Sequence, residues 1–242
     1  MLILNLGCGT KTSDQPEVVN IDWSILLRLR RRKVVRPIVP LFIRGKRLER
    51  FNALPDNIVV HNVAKGIPFS SGCVDAVYHS HMLEHLDRDV AEAFLLEVKR
   101  VLKPGGIHRI VVPDLERVCN AYLAHIARCG NDLAEARNHD DYVGALLEQS
   151  VRREAFGTGQ QGRFRRLIEN MILGDARRRG ETHQWMYDRV NLPVKLANLG
   201  YREVWVEDHN RSAIPRWDDY GLEVDENGKE YKAGSLYVEA RK

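Results

Sequence analysis

The sequence predicts an α/β fold built on a mostly parallel sheet of seven strands. Short apolar segments recur along the chain, and glycine, proline or polar turn residues bound each of them, as is typical of buried strands. Longer segments separate these strands, an alternation that favours a parallel sheet with crossover connections. The predicted strands span residues 1–6, 18–21, 58–60, 74–78, 107–112, 201–207 and 235–240.

The composition is that of an ordinary globular protein. The chain has 242 residues, of which 44% are hydrophobic and 29% are charged, and this suits one α/β domain with its own core. No apolar run approaches the ~20 residues that a membrane span requires. The four cysteines form no CxxC pair, so we expect reduced thiols in a cytoplasmic protein.

Basic residues are concentrated in two clusters, although the formal net charge is only +4. One cluster lies within residues 28–50 and the other within residues 152–179. Such clusters can attract an anionic small molecule, a nucleic acid or an acidic membrane surface, but they can equally be solvated helix faces. Because acidic residues nearly balance the charge, we do not expect a nucleic-acid partner.

A long helical region interrupts the succession of strands. The clearest single helix spans residues 88–102, where Phe94, Val98 and Leu102 share helical spacing, and Pro104 and the glycines after it end that helix. From residue 114 to about residue 199 the pattern is again mostly helical. This stretch is too long for one crossover, so the sequence predicts a helical insertion between strands five and six.

A glycine-rich turn and an acidic strand end predict a ligand site. Gly7 and Gly9 follow the first strand, where bare backbone can approach a ligand at the carboxyl edge of the sheet. Asp22 ends the second strand, the position from which a carboxylate accepts hydrogen bonds from ribose hydroxyls. Taken singly, the glycines also suit an ordinary turn and Asp22 a helix cap.

Four motifs occur in a fixed order along the first half of the chain: LNLGCGTK, VVNID, HNVAKGIPFSSGCVDAVYHSHMLEHL and VLKPGGIHRIVVPD. Together they resemble the class I methyltransferases that use S-adenosylmethionine (SAM), and in particular a bacterial subgroup of small, methyltransferase-11-like proteins. The resemblance implies a Rossmann-like sheet whose last strand is antiparallel. It also implies a single methyltransferase domain over residues 1–242, with a SAM-binding half (1–113), a helical insertion that forms the acceptor pocket (114–199) and C-terminal strands (200–242).

The resemblance implies that residues after the first four strands hold the cofactor: Gly7, Cys8, Gly9, Asp22, Trp23, Asn62, Val63, His79 and Ser80. The glycine-rich turn is expected to line the methionine and ribose, and Asp22 to bind the ribose hydroxyls. Asn62 and Val63 are expected to meet the adenine. The family usually has Asp at position 62, but the carbonyl oxygen of Asn can also accept a hydrogen bond from an adenine amino group.

Two departures from the family pattern concern the cover of the cofactor. Only residues 10–17, including Pro16, separate the first two strands, so the helix that usually follows the glycine-rich turn is short or missing. Family members often carry N-terminal helices over the cofactor, which this sequence does not show before its first strand. Residues 24–55 are therefore expected to form the lid.

Methyl transfer is an in-line displacement, so alignment and exclusion of water supply much of its acceleration. The expected acceptor is a hydroxyl oxygen on an anionic small molecule or glycan precursor, and such a hydroxyl benefits from a general base. The candidate bases are His81, His183 and Asp188, with His85 as a further one. Each of them can equally be a structural hydrogen-bonding residue.

The segment from His81 to His85 also matches HxxEH, the zinc-ligand pattern of some metalloproteases. The match is short, and no third ligand is evident in the sequence. Some related methyltransferases bind a divalent ion through Glu-x-x-Glu-His at this place, but His81 stands where the first Glu is expected. The sequence therefore predicts no metal site, and Glu84 and His85 are expected to fix a loop.

Three other functions share parts of this pattern. A SAM- or nucleotide-binding module without transfer activity would have the same glycine-rich turn. The arginine clusters are compatible with RNA methylation, although no RNA-binding module is recognisable. A dinucleotide-dependent oxidoreductase also uses a glycine-rich turn and an acidic strand end, but the Lys-Pro-Gly-Gly turn and the LEHL segment argue against it. The oligomeric state is not predicted.

Overall fold

The structure is a computed structural model that describes residues 1–43, 45–129, 136–149 and 182–242. Seven strands form one sheet in the order β3-β2-β1-β4-β5-β7-β6. Strands β1 to β5 are parallel, and β7 is antiparallel to both β5 and β6. The predicted fold class, including the antiparallel last strand, is confirmed. The strands are β1 (Ile3–Leu6), β2 (Val18–Asp22), β3 (Ile58–Val60), β4 (Val74–Ser80), β5 (Leu102–Pro113), β6 (Glu203–Glu207) and β7 (Ser235–Arg241).

Helices connect these strands. They are α1 (Ile25–Arg31), α2 (Val39–Phe42), α3 (Lys46–Ala53), α4 (Arg88–Val101), α5 (Leu115–Cys129), α6 (His139–Gln149) and α7 (Asn191–Asn198). The predicted helical insertion between β5 and β6 contains α5, α6 and α7, while its residues 150–181, and with them the second basic cluster, lie outside the described residues. In the described part of the chain, no helix is long and apolar enough to cross a membrane.

The core lies on both faces of the sheet because side chains alternate along each strand. Leu4 and Leu6 of β1 belong to a buried cluster with α4 and α7, whereas Ile3 belongs to a second cluster that includes Trp217 and Tyr220. A central strand that is buried on both faces reads as a continuous apolar run, which is why β1 was recognisable in the sequence.

Helix α4 ends one residue before the predicted position. The Lys-Pro-Gly-Gly stretch after it bulges out of β5, since Val74 pairs with Leu102 and Ala76 already pairs with Ile107. Gly106 lies so close to the backbone that an added Cβ would be 3.0 Å from the Asp75 carbonyl oxygen. The glycine therefore serves the fold at the edge of the sheet opposite the carboxyl strand ends.

No helix separates β1 from β2, as predicted from the short connection. Two buried asparagines hold that connection instead. The Asn5 side-chain amide donates to Asn20 Oδ1 (2.9 Å), and the Asn20 amide donates to the Ser13 carbonyl oxygen (2.9 Å). The backbone of the connection is thereby satisfied without helical hydrogen bonds.

A buried ion pair network on β5 was not predicted. The Arg109 guanidinium is fully buried and donates to Glu223 Oε2 (2.5 Å) and to Glu239 Oε1 (2.7 Å). It also donates to the carbonyl oxygens of Arg211 (2.7 Å) and Asp208 (3.1 Å). Arg109 thus ties the segment after β6 to the centre of the sheet.

Candidate functional site

A cleft of about 450 Å³ opens at the carboxyl ends of β1, β2 and β4. The carboxyl ends of parallel strands share one edge of the sheet, so the residues that follow them converge there. The cleft lining comes from six segments, which lie within residues 5–11, 22–26, 50–54, 61–64, 78–86 and 231–232. Nearly all cofactor residues predicted from the sequence lie in these segments.

The glycine-rich turn forms the floor of the cleft. Gly7 (φ +64°) and Gly9 (φ +55°) both have left-handed backbone conformations, which glycine adopts without the usual steric cost. A Cβ on Gly7 would lie 2.7 Å from Met82 Sδ, whereas a Cβ on Gly9 would meet no atom within 4 Å. Gly7 is therefore required for packing, and the space over Gly9 is open to a ligand.

Asp22 is held in place by backbone amides at the end of β2. Its Oδ2 accepts a hydrogen bond from Gly9 N (2.9 Å), and its Oδ1 accepts one from Ser24 N (2.5 Å). The residue is 8% exposed and lines the cleft. Each carboxylate oxygen retains acceptor capacity, so a rigidly oriented carboxylate is presented to ligand hydroxyls.

Cys8 also lines the cleft, but its side chain belongs to a buried cluster with Leu27, Leu54 and Ile58. Burial, and then the negative charge of Asp22, raises the pKa of the Cys8 thiol well above its ordinary value. The thiol therefore stays protonated at neutral pH and is not a nucleophile.

The predicted lid, residues 24–55, contributes described residues to one wall of the cleft. Leu26, Arg50 and Leu54 are among its lining residues, next to Trp23, whose ring is covered by the Arg28 guanidinium at 4.3 Å. Other arginines of the first basic cluster hold this wall together. Arg30 donates to the carbonyl oxygens of residues 51 and 52, and Arg31 donates to those of residues 56 and 58.

Asn62 and Val63 lie at the end of the cleft that follows β3. The Asn62 Oδ1 atom accepts a hydrogen bond from Ala64 N (3.1 Å) and thereby caps a short 3-10 turn over residues 63–65. This is the oxygen that the sequence analysis assigned to the adenine amino group. It keeps a second lone pair for that contact, and the side-chain NH₂ group can donate to a ring nitrogen.

Three consecutive residues at the end of β4 lie in different environments: His79, Ser80 and His81. Ser80 and His81 line the cleft, whereas His79 is not among the lining residues. His79 is fully buried, and its Nε2 lies 2.9 Å from His108 Nε2. Burial lowers the pKa of His79 to about 3, so the ring is neutral and belongs to the interior of the sheet.

His81 is held by an ordered chain of hydrogen bonds. Ser235 Oγ donates to the Lys232 carbonyl oxygen (2.7 Å), so the 2.8 Å contact between Ser235 Oγ and His81 Nε2 requires a proton on Nε2. Burial, together with the positive charge of Lys232, lowers the pKa of His81 to about 3. In this neutral ring the lone pair of Nδ1 faces Glu84 Oε1 at 3.5 Å.

Glu84, which the sequence predicted only to fix a loop, is the centre of a group that contains three of the candidate bases. It is fully buried, and burial raises its pKa to about 8. His85 Nε2 lies 3.9 Å from Glu84 Oε1, and the His183 ring lies 4.8 Å from the His85 ring. We call His81, Glu84, His85 and His183 the histidine–carboxylate cluster.

The backbone brings His183 to this cluster from a distant part of the sequence. The Glu84 carbonyl oxygen accepts hydrogen bonds from Gln184 N (2.6 Å) and Trp185 N (3.3 Å). His81 and His85 line the cleft, while His183 lies behind them. Asp188 does not line the cleft, and its Oδ1 accepts from Val190 N and Asn191 N (both 2.8 Å) at the start of α7.

The lining of the cleft is cationic. Lys11, Arg50 and Lys232 contribute to it, and Asp22 is the one acidic residue among the described lining residues. Lys11 Nζ donates to the Val224 carbonyl oxygen (2.6 Å). Lys232 comes from the loop before β7, a position with no motif of its own, so only the tertiary structure reveals it.

Comparisons with known proteins give one family model and several similar structures. Residues 38–110 match the family described as "Methyltransferase domain". Three solved structures are similar over nearly the whole chain. A SAM-dependent methyltransferase from Archaeoglobus fulgidus is 14% identical, with 99% of this chain and 85% of that chain covered and a TM-score of 0.42. A methyltransferase of the same description from Mesorhizobium loti is 14% identical, with 100% of this chain and 90% of that chain covered and a TM-score of 0.41. The protein in the DhpI–SAH complex is 16% identical, with 99% of this chain and 75% of that chain covered and a TM-score of 0.46. No curated protein sequence matches the chain.

Proposed function

We propose that this chain is a class I SAM-dependent methyltransferase and that it transfers the methyl group to a hydroxyl oxygen of an anionic small molecule or glycan precursor. The enzyme class and the cofactor follow from the family. The acceptor class is our proposal, and the cationic lining of the cleft is the observation that carries it. Bound SAM supplies an electrophilic methyl group on a sulfonium sulfur.

The residues at the carboxyl edge of the sheet fit this cofactor. A Cβ on Gly9 would meet open space, and Asp22 presents a fixed carboxylate where ribose hydroxyls are bound in nucleotide-binding α/β folds. Asn62 and Val63 would hold the adenine. Trp23 and the wall formed by α1 and α3 would exclude water from the bound cofactor, which strengthens electrostatic interactions inside the cleft.

The acceptor hydroxyl must lose its proton as its oxygen forms a bond to the methyl carbon and the carbon–sulfur bond breaks toward sulfur. The histidine–carboxylate cluster is the group of titratable residues that meets the cleft next to Ser80. We assign the handling of this proton to the cluster, with His81 at the cleft surface and His183 behind it. We propose no catalytic role for Asp188, because its carboxylate oxygen Oδ1 already caps α7.

Lys11, Arg50 and Lys232 give the acceptor side its preference for negative charge. A phosphate or carboxylate on the acceptor would form charge-assisted hydrogen bonds with such groups, and these are stronger than neutral ones. The cleft would also attract an anionic acceptor from a distance, because several cations of one sign focus the local potential.

The test is a methyl-transfer assay with labelled SAM on sugar phosphates and nucleotide-linked sugars, each paired with its phosphatase-treated counterpart. We expect the phosphorylated member of an accepted pair to have a kcat/KM about tenfold higher. Lys232→Met should raise the KM for that acceptor, and Lys229→Met, at an exposed position on the same loop, should leave it unchanged. Equal rates on both members of each pair would show that the acceptor proposal is wrong.

A further inference from the structure

We propose that Glu84, His85 and His183 bind a divalent transition-metal ion in the wall of the cleft. One ligand atom from each of these residues lies within 4.8 Å of the other two. A tetrahedral ion with bonds of about 2.0–2.2 Å holds neighbouring ligand atoms about 3.3 Å apart. Side-chain rotations are therefore enough to bring the three ligand atoms onto one ion.

The Glu84 carboxylate needs a partner that the described residues do not supply. It is fully buried, and neither of its oxygens has a hydrogen-bond partner in the described part of the chain. A buried polar group without a partner is rare, because burial removes its hydrogen bonds to water. A bound cation would satisfy both oxygens.

The donor set selects the class of ion. Two imidazoles and one carboxylate suit Zn²⁺, Co²⁺, Mn²⁺ or Fe²⁺, whereas Mg²⁺ and Ca²⁺ prefer oxygen ligands. Three protein ligands leave at least one coordination position open, as is usual where a metal acts on a substrate. His85 lines the cleft, so the open position can face the acceptor.

The role of the ion rests on the proposed methyl transfer, although its binding does not. A divalent ion lowers the pKa of a coordinated hydroxyl. The cluster would then act on this proton through the ion and not by accepting it. The acceptor hydroxyl would lose its proton to solvent, its oxygen would form the bond to the methyl carbon, and the electron pair of the carbon–sulfur bond would go to sulfur. The sequence predicted only a loop-fixing role for Glu84 and His85, because the third ligand, His183, is distant from them in the sequence.

The test is metal binding by the full-length protein, measured without reference to turnover. The protein is stripped with a chelator and titrated with Co²⁺, whose visible absorption reports ligand number, and with Zn²⁺ in competition. We expect one ion per chain, and about 100-fold weaker binding in Glu84→Gln, His85→Asn and His183→Asn. His209→Asn, which changes a histidine outside the cluster, should bind like the unmodified chain. Variants that bind Co²⁺ as tightly as the unmodified protein would overturn the proposal.

A second measurement does not depend on the variants. X-ray absorption at the zinc edge of the reconstituted protein should show scattering from two imidazoles, and its absence would overturn the proposed ligand set. SAM binding by calorimetry separates the two proposals. If the protein binds SAM but no divalent ion, the metal-site proposal is wrong and the methyl-transfer proposal stands. If it binds the ion but methylates no acceptor, the methyl-transfer proposal is wrong and the metal-site proposal stands.

Discussion

Gly9 N donates a hydrogen bond to Asp22 Oδ2 at 2.9 Å and so joins the turn after β1 to the end of β2. The two residues are thirteen positions apart, and this contact, together with the one from Ser24 N to Asp22 Oδ1, orients the carboxylate at the cleft floor. The cofactor site is therefore assembled by the pairing of two neighbouring parallel strands, and its geometry depends on the Asp22 carboxylate.

Asp22→Ala should weaken SAM binding, because it removes the acceptor for the ribose hydroxyls and releases the Gly9 amide. We expect the Kd to rise by about tenfold to 100-fold, the usual effect of losing one or two charge-assisted hydrogen bonds. Isothermal titration calorimetry measures this directly. Asp14→Ala, on the connection between β1 and β2, is the control, and an equal loss of affinity in both variants would contradict the role of Asp22.

Gly7→Ala should destabilise the fold more than Gly72→Ala. Both glycines have φ near +65°, so both variants carry the same backbone strain of about 1–2 kcal/mol. Only at Gly7 would the new Cβ also lie 2.7 Å from Met82 Sδ, while at Gly72 it would meet nothing within 4 Å. Urea denaturation should show a free energy of unfolding lower by about 1–3 kcal/mol in Gly7→Ala than in Gly72→Ala. Equal values would show that Met82 moves aside without cost.

The buried pair of His79 and His108 should make the fold sensitive to acid. Tyr201 donates to the Leu95 carbonyl oxygen and accepts from His108 Nδ1, so His108 Nε2 accepts from His79 Nε2 and both rings are neutral. Burial lowers the pKa of His79 to about 3 and that of His108 well below its ordinary value. The unfolded chain, with histidine pKa values near 6.5, then binds more protons than the native state below pH 6.5, and stability falls as the pH is lowered from there toward 3.

For His79 alone this loss amounts to about 2 kcal/mol at pH 5. The double variant His79→Leu/His108→Leu should therefore lose less stability between pH 7 and pH 5 than the unmodified protein. Thermal unfolding at a series of pH values gives this comparison, with His209→Leu as the control. Parallel pH profiles for the double variant and the unmodified protein would contradict the buried neutral pair.

Arg109→Met should be strongly destabilising, because it leaves Glu223 and Glu239 buried without their cation. Removing one partner of a buried ion pair typically costs about 3–5 kcal/mol. The pair formed by Arg241 and Glu203 offers a contrast, since it lies at the surface, and Arg241→Met should cost less than about 1 kcal/mol. Urea denaturation of Arg109→Met and Arg241→Met gives the free energy of unfolding of each variant. Similar values for the two would mean that the Arg109 network does not stabilise the fold.

The sequence by itself determined the succession of strands along the chain, the position of α4 and the short connection between β1 and β2, and it predicted which residues follow the strands at the carboxyl edge of the sheet. These features are local. Apolar runs such as Ile3–Leu6 define buried strands, and glycines or an acidic residue directly after a strand must lie at the same edge of a parallel sheet. For this reason Gly9 and Asp22 could be predicted as site residues from the sequence pattern, whereas Asn62 was predicted from the family resemblance.

Only the tertiary structure decided which polar residues share an environment. His79 and His81 are two positions apart, a spacing that in a continuous strand places both side chains on one face. β4 ends at Ser80, however, and His81 has a left-handed backbone (φ +50°), so His79 is buried beside His108 while His81 turns toward Ser235 and Glu84. His183 reaches Glu84 and His85, and Lys232 reaches the cleft lining, each from a distant segment. Such contacts depend on how far-apart segments pack, and no spacing pattern within a single segment encodes that packing.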